Sequence, residues 1–518
     1  MSASPTPSEH FDYIVVGAGS AGCALAARLS EDPAIRVLLL EAGGTDQRQE
    51  VQIPVAFSQL FKSDADWNYQ TSPQEHLGGR SIYWPRGKML GGSSSMNAMM
   101  WVVGYAADYD RWAELAGPGW SWEALSPLFA ATEITVEPQR DPREHTAQLL
   151  RAAEEAGYAL EEANLEEPTG FTQTMLTQHG GVRWNAARGY LEPAADRGNL
   201  VVRTGAHADR VVFEGERARG VRYFADGEWR IAEAAEEVVL SAGAVNTPTI
   251  LLRSGIGPAG DLRAHGIDVL VDAPDVGQQM RDHLVTFLTV ESTAGTLFSA
   301  MTPEQLEKYT TEQRGMLTSN VAEAYGFVRS DEALPDVDLE IIAAPAAYVK
   351  EGLEGIPGDG VSVGSILLQP ESRGSITLAD ADPFSPPVID PGYLTDPGGV
   401  DLARQLAGMR ICQRILDAGA LRGTVGPRFL APEGGESLDA EDRFREAVTS
   451  VSHTLYHPTS TARMGADAGS VVDPELRVRG VSGLRVADAS IMPEIIRGHT
   501  HAPSVVIGEK AAQLIRGA

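Results

Sequence analysis

The chain has 518 residues, and single hydrophobic cores stop growing at roughly 250–300 residues, so we expect two domains. The formal net charge of −29 opposes binding to nucleic acid and to anionic lipid, because a negative surface repels phosphate groups. No run approaches the roughly 20 consecutive apolar residues that span a bilayer, so the composition predicts a globular protein without a membrane span.

The amino-terminal segment and the cysteines indicate the compartment. Residues 1–10 are rich in Ser and Pro and lack the basic and apolar regions of a secretory signal. The chain has two cysteines, Cys23 and Cys412, and Cys23 falls within the first predicted helix, which argues against a disulfide framework. Both observations predict a cytoplasmic protein.

A βαβ unit is the first predicted part of the fold. Residues 11–17 are an apolar run rich in β-branched side chains, residues 21–29 are Ala-rich and helical, and residues 37–40 are a second apolar run. Two further apolar runs, 238–240 and 484–487, end at glycine or aspartate in the same way. We expect all these strands to join one nucleotide-binding sheet.

The pattern changes between about residues 282 and 449. Alternating strands such as 361–368 and 374–378 are separated by Pro-rich turns such as 382–391, which is typical of an antiparallel sheet with helices. The fold class is therefore α/β, with a discontinuous Rossmann-like domain from residues 8–281 and 450–518. A second, α+β substrate domain is predicted from residues 282–449, with a contribution from about 155–190.

The glycine-rich turn after the first strand predicts a dinucleotide site. Its G-x-G-x-x-G motif opens the helix, where backbone N–H groups can hold a pyrophosphate. Glu41 can accept hydrogen bonds from ribose hydroxyls and would repel a 2′-phosphate, which disfavours NADP. The predicted contacts are Gly17, Gly19, Ser20, Ala21, Gly22, Glu41 and Ala42. The motif alone does not distinguish FAD from NAD.

Four segments resemble the signatures of the glucose-methanol-choline (GMC) oxidoreductase family. They are residues 87–110, with the run GGSSSMN at 91–97, and residues 243–257, 276–283 and 486–493. In this order they extend the resemblance over nearly the whole chain. The resemblance implies the GMC fold, an FAD cofactor and oxidation of an alcohol by hydride transfer to flavin N5.

The glycine and serine run also favours a flavin on physical grounds. Glycine lets the backbone approach a flat isoalloxazine ring, and serine hydroxyls can bind its polar edge. Some members of the family attach FAD through a histidine, and Met96 stands at that position here, so we predict non-covalent FAD. The resemblance implies further cofactor contacts from Gly91, Gly92, Asn97, Met99, Ala208, Asp488, Ala489 and His501.

The same resemblance implies a catalytic pair of histidines. His457 lies in the segment 456–465, which resembles the one with the family's principal catalytic histidine. An imidazole with its ordinary pKa of about 6.5 can accept the hydroxyl proton at neutral pH. His499 matches the second catalytic position, where it would bind the substrate oxygen. If the segment is aligned with the family two residues further along, His501 instead of His499 becomes the catalytic partner of His457.

The sequence leaves the substrate and the electron acceptor open. Aromatic residues such as Phe57, Trp67 and Tyr456 would suit an aromatic, furanic or medium-chain primary alcohol. Glu323 lies in a segment similar to the one where choline-oxidising relatives bind an ammonium group. The alternatives are a choline-type or sugar alcohol dehydrogenase and, in another class, a hydroxynitrile lyase. The electron acceptor is dioxygen or another compound. His453 is interpreted as a structural residue. No metal ion is expected.

Overall fold

The computed structural model describes residues 9–293, 295–353, 356 and 358–517. The prediction that no secretory signal is present concerns residues 1–10, of which 1–8 lie outside the described residues. Within the described ranges, no helix is both long and apolar enough to cross a membrane. Cys23 and Cys412 are both buried, with free thiols.

The described residues form the following strands and α-helices. The strands are β1 (Glu9–Val16), β2 (Val37–Leu40), β3 (Tyr69–Gln70), β4 (Tyr83–Trp84), β5 (Glu137–Pro138), β6 (Phe171–Gln173), β7 (Met175–Leu176), β8 (Gln178–His179), β9 (Val182–Arg183), β10 (Leu200–Arg203), β11 (His207–Glu214), β12 (Arg217–Ala225), β13 (Glu228–Leu240), β14 (Ile256–Gly257), β15 (Val271–Asp272), β16 (Leu284–Ser292), β17 (Ala324–Val328), β18 (Leu339–Ala344), β19 (Gly360–Leu367), β20 (Ser375–Thr377), β21 (Val388–Asp390), β22 (Val425–Ala431), β23 (His453–Thr454) and β24 (Leu484–Val486). The helices are α1 (Ser20–Leu29), α2 (Gln49–Gln52), α3 (Ala106–Ala116), α4 (Trp122–Ala130), α5 (Glu144–Glu155), α6 (Gly243–Arg253), α7 (Ala259–Ala264), α8 (Pro303–Glu312), α9 (Val400–Leu416), α10 (Ala440–Ser450) and α11 (His501–Arg516).

The first large sheet contains the strands that the sequence assigned to nucleotide binding. Its order is β10-β2-β1-β13-β12-β11, and β24 pairs with β13. Strands β10, β2, β1, β13 and β24 run parallel to one another, whereas β12 pairs antiparallel with β13 and β11 pairs antiparallel with β12. The mixed α/β class is thus confirmed. Strand β13 begins ten residues before the predicted run, at Glu228, because its first half pairs with β12.

The register of the parallel strands brings four loops to one edge of this sheet. Val16 is paired with Leu40 and with Leu240, and Leu240 is paired with Val486. The residues after these positions therefore lie side by side, although they come from three distant parts of the chain. A ligand at this edge would contact all four loops, as is general for open α/β sheets.

The second large sheet is antiparallel, as predicted. Its order is β22-β16-β19-β18-β17-β6, and β23 pairs with β16. Strand β6 belongs to the predicted contribution from residues 155–190, whereas β23 lies beyond the predicted boundary at 449. The strand predicted at 374–378 is β20, but it pairs with β21 in a separate hairpin and does not enter the large sheet. The division into two domains itself stays a prediction.

Helices α1 and α11 pack closely and connect the glycine turn with the carboxy-terminal histidines. A Cβ atom on Gly508 of α11 would lie 2.3 Å from the carbonyl oxygen of Ala21 in α1. Arg28 of α1 also forms an ion pair with Glu509, with 2.8 Å between Nε and Oε2. The absence of a side chain at Gly508 lets α11 begin next to the glycine-rich turn.

We expect the variant Gly508→Ala to lower the thermal-unfolding midpoint of the holoprotein, because the added methyl group would separate α11 from α1. Overpacking of this kind costs roughly 1–3 kcal/mol. Gly260→Ala in α7 is the matched control, since a Cβ atom there meets nothing within 4 Å. That control should be neutral or stabilising by up to about 1 kcal/mol. Equal midpoints for the two variants would contradict the packing argument.

Candidate active site

A cavity of about 470 Å³ runs from the glycine-rich turn to the carboxy-terminal histidines. It lies at the edge where the four loops of the first sheet meet, and the second sheet contributes Phe287 and Ile342 to its far wall. Most residues predicted for the cofactor and the catalytic pair line it. They are Gly17, Gly19, Ser20, Ala21, Glu41, Ala42, Gly92, Asn97, Ala208, Asp488, Ala489, His457, His499 and His501.

Three residues predicted to contact the cofactor do not line the cavity. A Cβ atom on Gly22 would lie 1.9 Å from the carbonyl oxygen of Gly17, so Gly22 packs against the backbone of the turn itself. Gly91 faces the hydroxyl of Ser95, and Met99 is fully buried. Their positions support the loops around the cavity, whereas direct contact with a cofactor stays a prediction.

Two buried carboxylates hold the loops at the edge of the first sheet. Glu41 accepts hydrogen bonds from the backbone N–H groups of Ala18 (3.0 Å) and Gly43 (2.8 Å), and burial raises its pKa to about 7. Asp488 accepts the N–H of Gly243 (2.9 Å) and the hydroxyl of Thr247 (2.6 Å), and burial also raises its pKa. Each carboxylate thus fixes a loop of the cavity wall.

The residues around this part of the cavity fit a dinucleotide that carries a flat, polar-edged ring. A Cβ atom on Gly19 would meet nothing within 4 Å, so the turn leaves open space for a pyrophosphate. His501 lines the cavity beside this turn, and its Nε2 is buried and has no hydrogen-bond partner among the described residues. A buried polar atom without a partner is rare in proteins, and a ring edge bound there would satisfy it.

His457 is fixed by a chain of hydrogen bonds that determines which nitrogen carries its proton. Nε2 of His283 lies 3.0 Å from the carbonyl oxygen of Leu368, so it donates, and Nδ1 of the neutral ring accepts. That atom lies 2.9 Å from Nδ1 of His457, which must therefore carry a proton. Burial lowers the pKa of His283 to about 3 and that of His457 well below its ordinary value. Nε2 of His457 is thus left with a free lone pair.

The carboxylate of Asp282 positions the same histidine through the backbone. Its Oδ1 accepts the N–H of His457 at 2.8 Å, and its Oδ2 accepts the hydroxyls of Thr454 (2.6 Å) and Tyr393. These contacts connect the segment that leads into β16 with Tyr393, with the end of β23 and with the loop that follows it. The ring of His457 is therefore held from two directions, by Asp282 and by His283.

His499 lies beside His457 and is bound to a buried glutamate. The centroids of the two imidazole rings are 4.8 Å apart. Nε2 of His499 lies 3.0 Å from Oε1 of Glu340, which is on β18 and fully buried. The arrangement brings two imidazoles and one carboxylate together at the end of the cavity where Phe287 and Ile342 form the wall, which is called the apolar end below.

His501 lies elsewhere in the cavity, toward the glycine-rich turn. Its Nδ1 shares a hydrogen bond of 2.9 Å with the hydroxyl of Ser20, and its ring contacts Trp101 at 5.6 Å between centroids. Burial lowers its pKa to about 4. The geometry therefore separates His501 from the pair of His457 and His499.

Sequence reasoning missed three residues around the histidines. Asp282 and His283 stand in the third signature segment but had no role assigned to them. Glu340 had a signal of its own, since it is a single carboxylate within the apolar strand LEIIAA. A charged residue in a strand buried on both faces needs a partner, and here the partner is His499.

Comparisons with known proteins identify the family. Two models described as GMC oxidoreductase match residues 11–285 and 370–508. The chain belongs to the GMC oxidoreductase family. GMC enzymes act on CH–OH donors with FAD as the cofactor, and the features described above fit this assignment.

Similar proteins cover this GMC oxidoreductase from end to end. An uncharacterised GMC-type oxidoreductase of Mycobacterium tuberculosis (strain H37Rv) is 53% identical over 98% of this chain and 99% of its own. An alcohol dehydrogenase [acceptor] of Pseudomonas putida is 39% identical over 98% and 95%. The mitochondrial choline dehydrogenase of Homo sapiens is 37% identical over 100% and 91%.

Solved structures share the fold as a whole. Pyridoxine 4-oxidase from Mesorbium loti has a TM-score of 0.89 at 29% identity, covering 98% of this chain and 99% of that one. A formate oxidase of Aspergillus oryzae RIB40, whose structure concerns FAD modification, has a TM-score of 0.92 at 27% identity, covering 99% of both chains. These neighbours support FAD as the cofactor.

We expect Gly92→Ala to reduce the amount of FAD that purifies with this GMC oxidoreductase. Gly92 has a φ of +55° and a Cβ atom there would lie 2.8 Å from Cα of Gly19, so an alanine would press on the glycine-rich turn. The ratio of flavin to protein absorbance measures the effect. Gly198→Ala is the control, since a Cβ atom at Gly198 meets nothing within 4 Å. Full flavin content in both variants would contradict the expectation.

Proposed function

We propose that this GMC oxidoreductase oxidises an uncharged primary alcohol, of the aromatic, furanic or medium-chain kind, to the aldehyde. The observation that supports this most directly is the free lone pair on Nε2 of His457 at the apolar end of the cavity. A base in that state can accept the hydroxyl proton of an alcohol. When bound, FAD supplies the acceptor for the hydride of the carbinol carbon.

His457 is the proposed base, and two neighbouring residues position it. His283 accepts its Nδ1 proton at 2.9 Å, and Asp282 holds its backbone N–H at 2.8 Å. Because Nδ1 is engaged by His283, Nε2 is the nitrogen that can meet the substrate. Its pKa, which burial lowers, keeps the imidazole neutral before the proton arrives.

His499 is the proposed second catalytic residue and Glu340 positions it. Nε2 of His499 donates to Glu340 at 3.0 Å, so Nδ1 is the nitrogen left to face the substrate, and it can donate to the substrate oxygen when the ring carries a second proton. Within the described residues, neither Nε2 of His457 nor Nδ1 of His499 has a hydrogen-bond partner. The ring centroids are 4.8 Å apart, so one substrate hydroxyl that donates its proton to Nε2 of His457 could also accept a hydrogen bond from a doubly protonated His499. His501, bound to Ser20, is proposed as a cofactor contact.

We propose that the FAD is held without a covalent bond. Met96, at the position where some relatives carry the linking histidine, lines the cavity and is 4% exposed. A thioether does not form that bond to a flavin under ordinary conditions. The glycine-rich turn, Asn97 and the two anchored carboxylates are the proposed means of holding the cofactor.

The walls near the two catalytic histidines favour an uncharged substrate. Glu323, the candidate for binding a quaternary ammonium group, does not line the cavity. Its carboxylate already accepts hydrogen bonds from Ser319 (2.6 Å), from the backbone of Arg143 (2.8 Å) and from Thr146. Although human choline dehydrogenase is similar in sequence, these contacts argue against choline here. The apolar wall includes Phe57, Phe61, Met100, Phe287, Ile342 and Leu455.

We expect His457→Ala to lower the rate of anaerobic flavin reduction by an alcohol by about 10²- to 10⁴-fold, because the proton acceptor is lost. The measurement is stopped-flow absorbance with benzyl, furfuryl, aliphatic and sugar alcohols and choline. Admitting air afterwards distinguishes dioxygen from another electron acceptor. His76→Ala, on the surface, should reduce at the wild-type rate. If no alcohol bleaches the flavin of the wild-type enzyme, the proposal fails, and a non-redox reaction such as that of a hydroxynitrile lyase gains support.

The pH dependence of flavin reduction should be flat from about pH 6 to pH 8. Burial, followed by the nearby His499, His283 and Arg86, lowers the pKa of His457, so the neutral base persists on the acid side of its ordinary range. A base with the ordinary pKa of about 6.5 would lose about three quarters of its active form at pH 6. The reduction rate constant at saturating alcohol measures this, and an inflection near pH 6.5 would contradict it.

A further inference from the structure

The apolar end of the cavity contains a second polar cluster, formed by Tyr348, Tyr456 and His453. All three residues line the cavity, and none belongs to the pair of His457 and His499. The hydroxyls of Tyr348 and Tyr456 are 3.1 Å apart, and the ring of His453 lies 6.1 Å from each phenol ring between centroids. We propose that this cluster is a subsite for a second hydroxyl group of the alcohol substrate. The inference rests on the proposed function.

The hydrogen bonds within the cluster leave one donor and one acceptor unused. One phenol donates to the other, so the second phenol hydrogen has no acceptor among the described residues. Nδ1 of His453 lies 2.7 Å from the carbonyl oxygen of Thr454 and therefore carries a proton, which leaves a lone pair on Nε2. A hydroxyl group both donates and accepts, so it matches the cluster on both counts.

The backbone turns Tyr456 and His457 toward the same cavity. Consecutive residues in an extended strand point to opposite faces, but Tyr456 has a φ of +69°. Thr454 Oγ1 accepts its N–H at 2.7 Å, and Arg86 Nη1 donates to its carbonyl at 2.8 Å. A bulky residue held in the left-handed region is strained, and such strain is found most often at functional sites.

The spacing suits one small molecule that bridges the cluster and the catalytic pair. Tyr456 and His457 are neighbours in sequence, with Cα atoms about 3.8 Å apart. Phe287 stacks on His453 at 5.7 Å, and Phe61 lies 6.1 Å from Tyr456, so apolar rings surround both polar groups. An aromatic diol would fill this space with its ring and place one hydroxyl at each end.

The chemistry of the cluster favours a neutral group over a carboxylate. Burial raises the pKa of both phenols, so they stay protonated and donate weakly acidic hydrogens. Arg86 also lines the cavity; its Nη1 donates to the carbonyl of Tyr456, and its Nε and Nη2 are buried without hydrogen-bond partners among the described residues, too deep for direct contact with a ligand. A substrate carboxylate at this position would also face the lone pair on Nε2 of His453, and the two would repel each other.

Two alcohols that differ only in the second hydroxyl test the subsite: 1,4-benzenedimethanol and 4-methylbenzyl alcohol. Binding to the anaerobic, dithionite-reduced holoenzyme is measured by equilibrium dialysis, because the reduced enzyme cannot oxidise either ligand. We expect the wild type to bind the diol more tightly by roughly 3- to 10-fold. Tyr348→Phe and Tyr456→Phe should each remove most of this preference while keeping the affinity for the monoalcohol.

Tyr105→Phe is the matched control, since Tyr105 lies outside the cavity and its hydroxyl has no hydrogen bond among the described residues. It should keep the full preference for the diol. Equal binding of the two alcohols by the wild type, or an unchanged preference in both phenylalanine variants, would overturn the proposal. Tighter binding of 4-(hydroxymethyl)benzoate than of the diol would also overturn it in favour of an anion site. Failure of the proposed oxidation would appear separately, as an oxidised flavin that no alcohol reduces.

Discussion

The hydrogen bonds of Asp282 are the constraint on which the catalytic end of the cavity depends. This carboxylate precedes β16, yet it accepts donors from Thr454, Tyr393 and the backbone of His457. It therefore joins parts of the chain that are 111 to 175 residues apart. The strained backbone of Tyr456 lies between two of these contacts. Without the carboxylate, the turn would keep only its contacts with Thr454 and Arg86, and the imidazole after it only its contact with His283.

Some of the backbone strain and some of the unpaired polar atoms lie around the cavity. Tyr456 and Val321 both line it with positive φ, and a β-branched residue such as Val321 rarely adopts that conformation. Nε2 of His501 is buried without a partner there, which costs about 1–3 kcal/mol when no ligand satisfies it. The rest of the fold compensates for these costs through its two large apolar cores. A bound cofactor would recover part of them, which couples stability to FAD binding.

Local patterns in the sequence predicted four of the seven strands of the first sheet, and β10, β11 and β12 were missed. The conformational preferences of glycine turns, short apolar strands and Ala-rich helices depend little on the rest of the protein. Residues 9–41 could therefore be interpreted without knowledge of the fold. Pairing partners were less predictable. The strand predicted at 374–378 exists as β20. It pairs with β21, which ends the Pro-rich segment that follows, and the two form a hairpin. The residue pattern of a strand does not indicate which strand it will pair with. Glu340 and His283 were missed for a related reason, because their roles depend on what stands opposite them.

The sequence by itself determined the family, the α/β class, the dinucleotide turn and the histidines that are candidates for chemistry, because each is written in short contiguous motifs. Only the tertiary structure decided how the candidates are grouped. It brought His499 next to His457, turned His501 toward Ser20, and added His283, Asp282 and Glu340 to the catalytic end. It also engaged Glu323 in a buried network away from the cavity. The physical reason is that hydrogen-bond partners and tautomers are set by distances between residues far apart in the chain, which strand pairing and helix packing alone establish.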